Sequence, residues 1–176
     1  AIWDDHDFGW NDCVGSQLTP AQLAETRGLF GQYLGKAINN NKPHMHCSHD
    51  IGPVRVLMLD VRTHRTLSDA PDATVLGKAQ EDWLWNQLAT CIQPFLVIGS
   101  GTPIDQGAKK QRLCDYPAFY TRLMQELQFR PAEARPRRVV FLAGDIHENA
   151  WTRHGGFYEA VSSGVACLAR GSMEPI

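Results

Sequence analysis

At 176 residues, 43% hydrophobic and 20% charged with a formal net charge of −2, the chain is long enough for one domain with a real core and short for two. Near-neutrality gives it no general attraction for nucleic acid or anionic membrane, and no apolar run approaches the ~20 residues of a membrane helix. The Ala1-Ile2-Trp3 start leads into acidic residues, unlike a signal peptide. Five scattered cysteines (Cys13, Cys47, Cys91, Cys114, Cys167), none in a Cys-x-x-Cys pair, argue against a disulfide framework or a zinc ribbon.

The chain opens "AIWDDHDFGWND". Asp4, Asp5, His6, Asp7 and Asp12 sit among Trp3, Phe8 and Trp10, a mixture that predicts a packed polar cluster at the end of a strand beginning before Ala1. Leu18–Gly35 predicts a helix, with Thr19 as N-cap, Pro20 at the first helical position and Gln22 at capping-box spacing. Asn39–His44 predicts a loop by its Asn and Pro content. The apolar run Val54–Arg62 predicts a strand buried on both faces. Gly77–Thr90 predicts a second helix, Pro94–Gly101 a second buried strand and Tyr116–Phe129 a third helix. Arg137–His147 predicts a third buried strand, and Phe157–Gly164 a further one.

Strands alternating with helices predict an α/β architecture whose ligands gather at the carboxyl ends of the strands. Polar clusters stand there: Asp60 with Arg62, Ser100 to Asp105, and Asp145 with His147. In an extended chain Asp145 and His147 project to the same side. A carboxylate and an imidazole so placed suit Zn²⁺, Fe or Mn²⁺; the plainer alternative is an Asp capping a turn beside its His partner. In "WDDHD", a carboxylate able to bridge two cations and a proton-donating histidine suit phosphate-ester hydrolysis, against the alternative of a solvated acidic turn. Arg62 and Arg65 are candidate phosphate contacts, or salt-bridge partners of Asp60 or a nearby carboxylate. "HMHCSHD", His44 to Asp50, offers His44, His46, Cys47 and His49 as a soft-metal site or as an ordinary strand. The basic, proline-bearing Arg130–Arg138 stretch predicts a solvated loop, with no interleaved aromatic to stack bases.

Four segments in order, "IWDDHDFGWND", "VRVLMLDVRTHR", "LGKAQEDWLWNQL" and "FLAGDIHENA", resemble the alkaline phosphatase D-like (PhoD-like) metallophosphatases of the calcineurin-like metallophosphoesterase superfamily. The resemblance implies a layered αββα sandwich with a mostly buried central sheet. It also implies bound metal ions (Fe, Zn, Mn or Ca, two or more in the complete enzyme) and hydrolysis of phosphomonoesters or phosphodiesters by a metal-activated hydroxide. Residue by residue, it implies metal ligation by Asp5, Asp145 and His147, catalysis by His6 and substrate binding by Arg62. Asp4 and Asp7 are implied to orient those ligands.

The family's early Asp-x-His and Gly-Asp-x-x-Asp segments have no match, which implies the carboxyl-side portion of a larger enzyme, residues 1–176 forming a single partial domain. Export of the parent is a further implication. The expected partner is a small-molecule phosphate ester, with no nucleic-acid recognition and no membrane span. A catalytically incomplete metal-binding or interaction module is the alternative. A thiol-dependent hydrolase is a third reading, opposed by the setting of every cysteine.

Overall fold

The computed structural model describes residues 2–34, 44–107, 111–128 and 138–163. Most of the predicted Asn39–His44 loop, Cys167 and most of the Arg130–Arg138 stretch lie outside the described residues. Among the described residues four α-helices, α1 (Asp5–Phe8), α2 (Pro20–Leu34), α3 (Lys78–Ala89) and α4 (Pro117–Gln128), are joined by six strands. The strands are β1 (Cys47–Ile51), β2 (Val54–Met58), β3 (Phe95–Gly99), β4 (Arg138–Ala143), β5 (Asn149–His154) and β6 (Phe157–Ser162). All six form one sheet in the order β1-β2-β3-β4-β6-β5. The interior pairs β2–β3, β3–β4 and β4–β6 are parallel, while β1 and β5 add antiparallel edges.

The apolar runs do form the parallel interior, and helices α3 and α4 serve as the crossovers that parallel strands require. Leu57, Ile98, Phe141 and Val161 point from successive strands into a core completed by Leu84 and Leu88 of α3. Phe119, Leu123 and Leu127 of α4, four residues apart along one stripe, are buried in the same core. Burying each side chain of that stripe stabilises the packing by roughly 1.5–3 kcal/mol. The opposite sheet face is less covered: Val56, Met58 and Val97 are half-buried, and Leu142 and Tyr158 are exposed.

Two strands escape the hydrophobic pattern. Both β1, "CSHDI", and β5, "NAWTRH", are mostly polar, and each is held by backbone pairing to a single neighbour. Edge strands of this kind need no apolar alternation. The acidic opening itself forms a single helical turn, α1, at whose start the Asp4 N–H donates to Asp7 Oδ2 at 3.2 Å, while the predicted strand beginning before Ala1 lies outside the described residues. Beneath it Trp3 packs edge-on to Phe8 and Phe30, with ring centroids 5.1 and 5.5 Å away, in a second small core with Cys13 and Met45. Trp10, by contrast, is half exposed. Among the described residues no helix is long and apolar enough to cross a membrane.

Candidate metal centre

Strands β2, β3 and β4 run parallel, so the loops leaving their carboxyl ends meet at one edge of the sheet. The loop after β2 carries Asp60, Arg62 and Arg65, that after β3 carries Ser100 to Asp105, and that after β4 carries Asp145 and His147. Trp3 ties the chain's opening to this edge, its indole Nε1 donating to Asp60 Oδ1 at 2.9 Å. Asp60 also accepts the backbone N–H groups of Arg62 and Thr63, which closes the turn behind it. Gln80, buried at the start of α3, clamps Asp60 from the other side. Its Oε1 accepts the Asp60 N–H and its Nε2 donates to the Asp60 carbonyl, both at 2.8 Å.

On that frame Asp4, Asp5 and Asp145 bring one carboxylate oxygen each to within 4.8 Å of one another. Asp5 is buried; its Oδ1 accepts the His6 N–H at 3.0 Å and its Oδ2 the Asp12 N–H at 2.7 Å. Burial pushes the Asp5 carboxyl up, but those N–H groups with Arg62 and His6 outweigh it and hold it below the usual carboxylate range. Asp4 goes the other way. Its burial, reinforced by the charges of Asp145 and Asp5, outweighs Arg62 and raises it.

Arg62 is fully buried and faces this pair. Its Nε donates to Asp4 Oδ1 at 2.8 Å, and its Nη1 donates to the Cys13 carbonyl and to Gln111 Oε1. The remaining Nη2 lies 2.7 Å from Asp4 Oδ1 and 4.0 Å from Asp5 Oδ1, ion-pair distances without hydrogen-bond geometry. Gln111 relays the same network to the opening, donating to the Asp12 carbonyl at 2.9 Å. Arg65, also fully buried, donates to the Tyr116 hydroxyl, Thr102 Oγ1 and the Gln111 carbonyl. Both arginines therefore spend their forks on protein groups, and neither presents a surface to solvent.

The predicted same-side placement of Asp145 and His147 does not hold, because β4 ends at Ala143 and the chain is not extended beyond it. Asp145 (φ 72°) and His147 (φ 56°) both adopt the left-handed region, in which Asp and His are enriched among non-glycine residues. His147 is exposed and stands outside the carboxylate group, while His6 is exposed on α1 beside Asp5. The histidines of "HMHCSHD" pair with each other instead of converging on a site: the rings of His44 and His46 stack at 4.1 Å, and His46 tilts against Trp83. His49 is exposed on the edge strand. None of these joins a group of ligand atoms among the described residues.

Among the described residues Cys13, Cys91 and Cys114 are free thiols. Burial raises Cys13 and Cys114, which suppresses the thiolate a nucleophile would need.

Three converging carboxylate oxygens, two of them facing the buried Arg62 guanidinium, form a donor set suited to a hard cation. Sequence reasoning placed Asp4 only as an orienting group, and it overlooked Gln80 and Gln111. A glutamine inside an amphipathic helix carries no local sign that it will bridge a strand end.

A family model described as PhoD-like phosphatase matches residues 31–167. No curated protein matches the chain.

Proposed function

The chain belongs to the PhoD-like phosphatase family, and from that premise we propose that it is a partial domain of a metal-dependent hydrolase of phosphomonoesters or phosphodiesters. The observation that carries the proposal is the gathering of Asp4, Asp5 and Asp145 from opposite ends of the chain at the sheet's carboxyl edge. Those three carboxylates would hold the cation, Fe, Zn, Mn or Ca in this reading, with His147, exposed on the turn after β4, as the expected imidazole ligand. A bound cation supplies Lewis-acid polarisation of the phosphoryl group and a water of lowered pKa.

The chain's own residues do the rest. The backbone N–H groups of His6 and Asp12 keep the Asp5 carboxylate ionised and oriented. Arg62 holds Asp4 in place and offsets part of the crowded negative charge, a positioning role in place of the direct substrate contact expected from its residue type. His6, exposed one residue beyond Asp5, donates a proton to the departing oxygen of the ester. The partner is a small-molecule phosphate ester that approaches from the solvent side of α1.

A second reading draws on one observation: the converging ligand atoms are all carboxylate oxygens, without an imidazole. A cation-binding module without turnover would have that composition. Hydrolysis of p-nitrophenyl phosphate and its bis-ester, assayed with and without Fe, Zn, Mn or Ca, separates the two. The phosphatase reading expects metal-dependent turnover that falls at least 100-fold in Asp145→Asn. Metal uptake with no turnover of either ester assigns the chain to the module.

A further inference from the structure

The β5–β6 hairpin turns through Gly155 and Gly156, with Gly155 in the left-handed region at φ 59°. Its register pairs Thr152 with Glu159 and His154 with Phe157, so His154 and Glu159 are diagonal neighbours on one sheet face. That face is the core face: Phe157, Glu159 and Val161 are buried in alternation along β6. A glutamate thus occupies a position the pattern reserves for an apolar residue, and it has no exposed surface. A buried carboxylate requires a positive partner and hydrogen bonds.

Three groups meet it there. Glu159 Oε1 accepts the Ile104 N–H at 2.6 Å, which orients the carboxylate, and Oε2 lies 2.9 Å from His154 Nε2. The same imidazole nitrogen is 3.8 Å from Asp105 Oδ1, on the loop that follows β3. Gln106 Nε2 donates to that Asp105 oxygen at 2.9 Å and leaves it a second lone pair. The His154 ring is steadied by stacking on Phe157, with centroids 5.2 Å apart. Arg112, the arginine of this loop, reaches the backbone carbonyls of Asp105 and Gly107 and pairs its guanidinium with Asp115. Tyr120 lies in the field of the cluster: burial raises its phenol, and the charges of Asp105 and Glu159 add to the rise.

We propose that Asp105, His154 and Glu159 form a second cation site, separate from the carboxylates of Asp4, Asp5 and Asp145, that takes a divalent transition-metal ion such as Zn²⁺. One imidazole nitrogen and two carboxylate oxygens are a donor set that Zn²⁺ accepts. Bonds of about 2.0–2.2 Å in a tetrahedral site put neighbouring donor atoms roughly 3.3–3.6 Å apart, and the observed 2.9 and 3.8 Å bracket that spacing. Charge gives the same answer. An imidazolium leaves two carboxylates with one negative charge uncompensated, whereas a divalent ion with neutral His154 neutralises both. Asp105 is about one-third exposed and provides the entry side. The bound ion pins the hairpin to the Gly101–Gly107 loop, whose first residue packs against Asp4.

The test is a Zn²⁺ titration of the whole chain, read by equilibrium dialysis and by the ring ¹⁵N resonances of His154. The site predicts that His154 Nε2 shifts to a metal-bound position, in the Asp145→Asn protein as well as the parent. It also predicts that His154→Gln binds one ion fewer and that Asp105→Asn binds it at least tenfold more weakly. An unmoved His154 ring, or His154→Gln and Asp105→Asn proteins that bind as many ions with unchanged affinity, overturns the proposal. Should His154→Gln not fold, Asp105→Asn and the ring resonances decide. Because these readouts do not involve ester hydrolysis, this site and the phosphatase reading fail separately.

Discussion

Arg62 and Asp4, 58 residues apart in sequence, form an ion pair at the sheet's carboxyl edge, with Nε 2.8 Å and Nη2 2.7 Å from the same carboxylate oxygen. The guanidinium is fully buried, and about a quarter of the Asp4 side chain is exposed. Breaking a buried pair leaves the surviving charge uncompensated, at a cost of 3–5 kcal/mol when both partners are enclosed. Arg62→Ala is expected to destabilise the fold by about 3 kcal/mol, the low end, because Asp4 retains some solvent. It also removes the guanidinium that Asp4 and Asp5 face. Urea denaturation checks this: a loss under about 1 kcal/mol shows that solvent supports Asp4 without the arginine.

Gly101 lies against Asp4 so closely that a Cβ there would sit 2.7 Å from the Asp4 carboxylate. Real Cβ contacts do not come that near, so Gly101→Ala must push the carboxylate away from Asp5 and Asp145. The expected result is at least tenfold weaker cation affinity together with a loss of stability no larger than that of Arg62→Ala, since the moved carboxylate is also the partner of the buried Arg62. Calorimetric titration of the variant with Mn²⁺ reads the difference, and unaltered affinity removes Asp4 from the cation site.

Asp115 supports the network at one remove. Burial pushes its carboxyl up, but the Arg112 guanidinium and the backbone N–H groups of Gln111 and Arg112 prevail and lower it. A carboxyl whose folded pKa lies below its unfolded value stabilises the fold fully above about pH 3.8. That contribution drains away as pH falls through the depressed folded value. Asp115→Asn is therefore expected to lose roughly 2 kcal/mol near neutral pH, the scale of hydrogen bonds to a charged group. Parent and variant should converge in acid. Denaturation curves from pH 7 to pH 2 whose separation does not shrink contradict the assignment.

His6 stands exposed beside Asp5, acts on that carboxyl through its charge, and hydrogen-bonds it through a backbone N–H that any residue supplies. Under the proposed chemistry His6→Ala reduces turnover of p-nitrophenyl phosphate by about 10²–10⁴ while cation binding and thermal midpoint stay near the parent's. Near-normal turnover takes His6 out of the reaction.

Much of the fold was legible locally. The parallel interior strands begin where their apolar runs begin, within a residue, because burial against α3 and α4 demands continuous apolar character. The runs Val54–Arg62 and Arg137–His147 extend past the true ends, Met58 and Ala143, since the polar residues that close them belong to the site loops. β5 was invisible because an edge strand is specified by its neighbour's backbone. The candidate site was half legible. Asp5 and Asp145 announce themselves by residue type and strand-end position, whereas Asp4 drew attention only as their neighbour.

From its residues alone this chain determined the alternation of strands and helices, the edge at which polar groups collect and the family it resembles, since each depends on contacts or periodicities a few residues long. Tertiary structure decided which carboxylates meet, that Arg62 and Arg65 turn inward, and that Glu159 enters the core beside His154. These depend on charges brought together across the whole chain. Their burial is tolerated only because partners distant in sequence arrive at the same place, and no local pattern records that arrival.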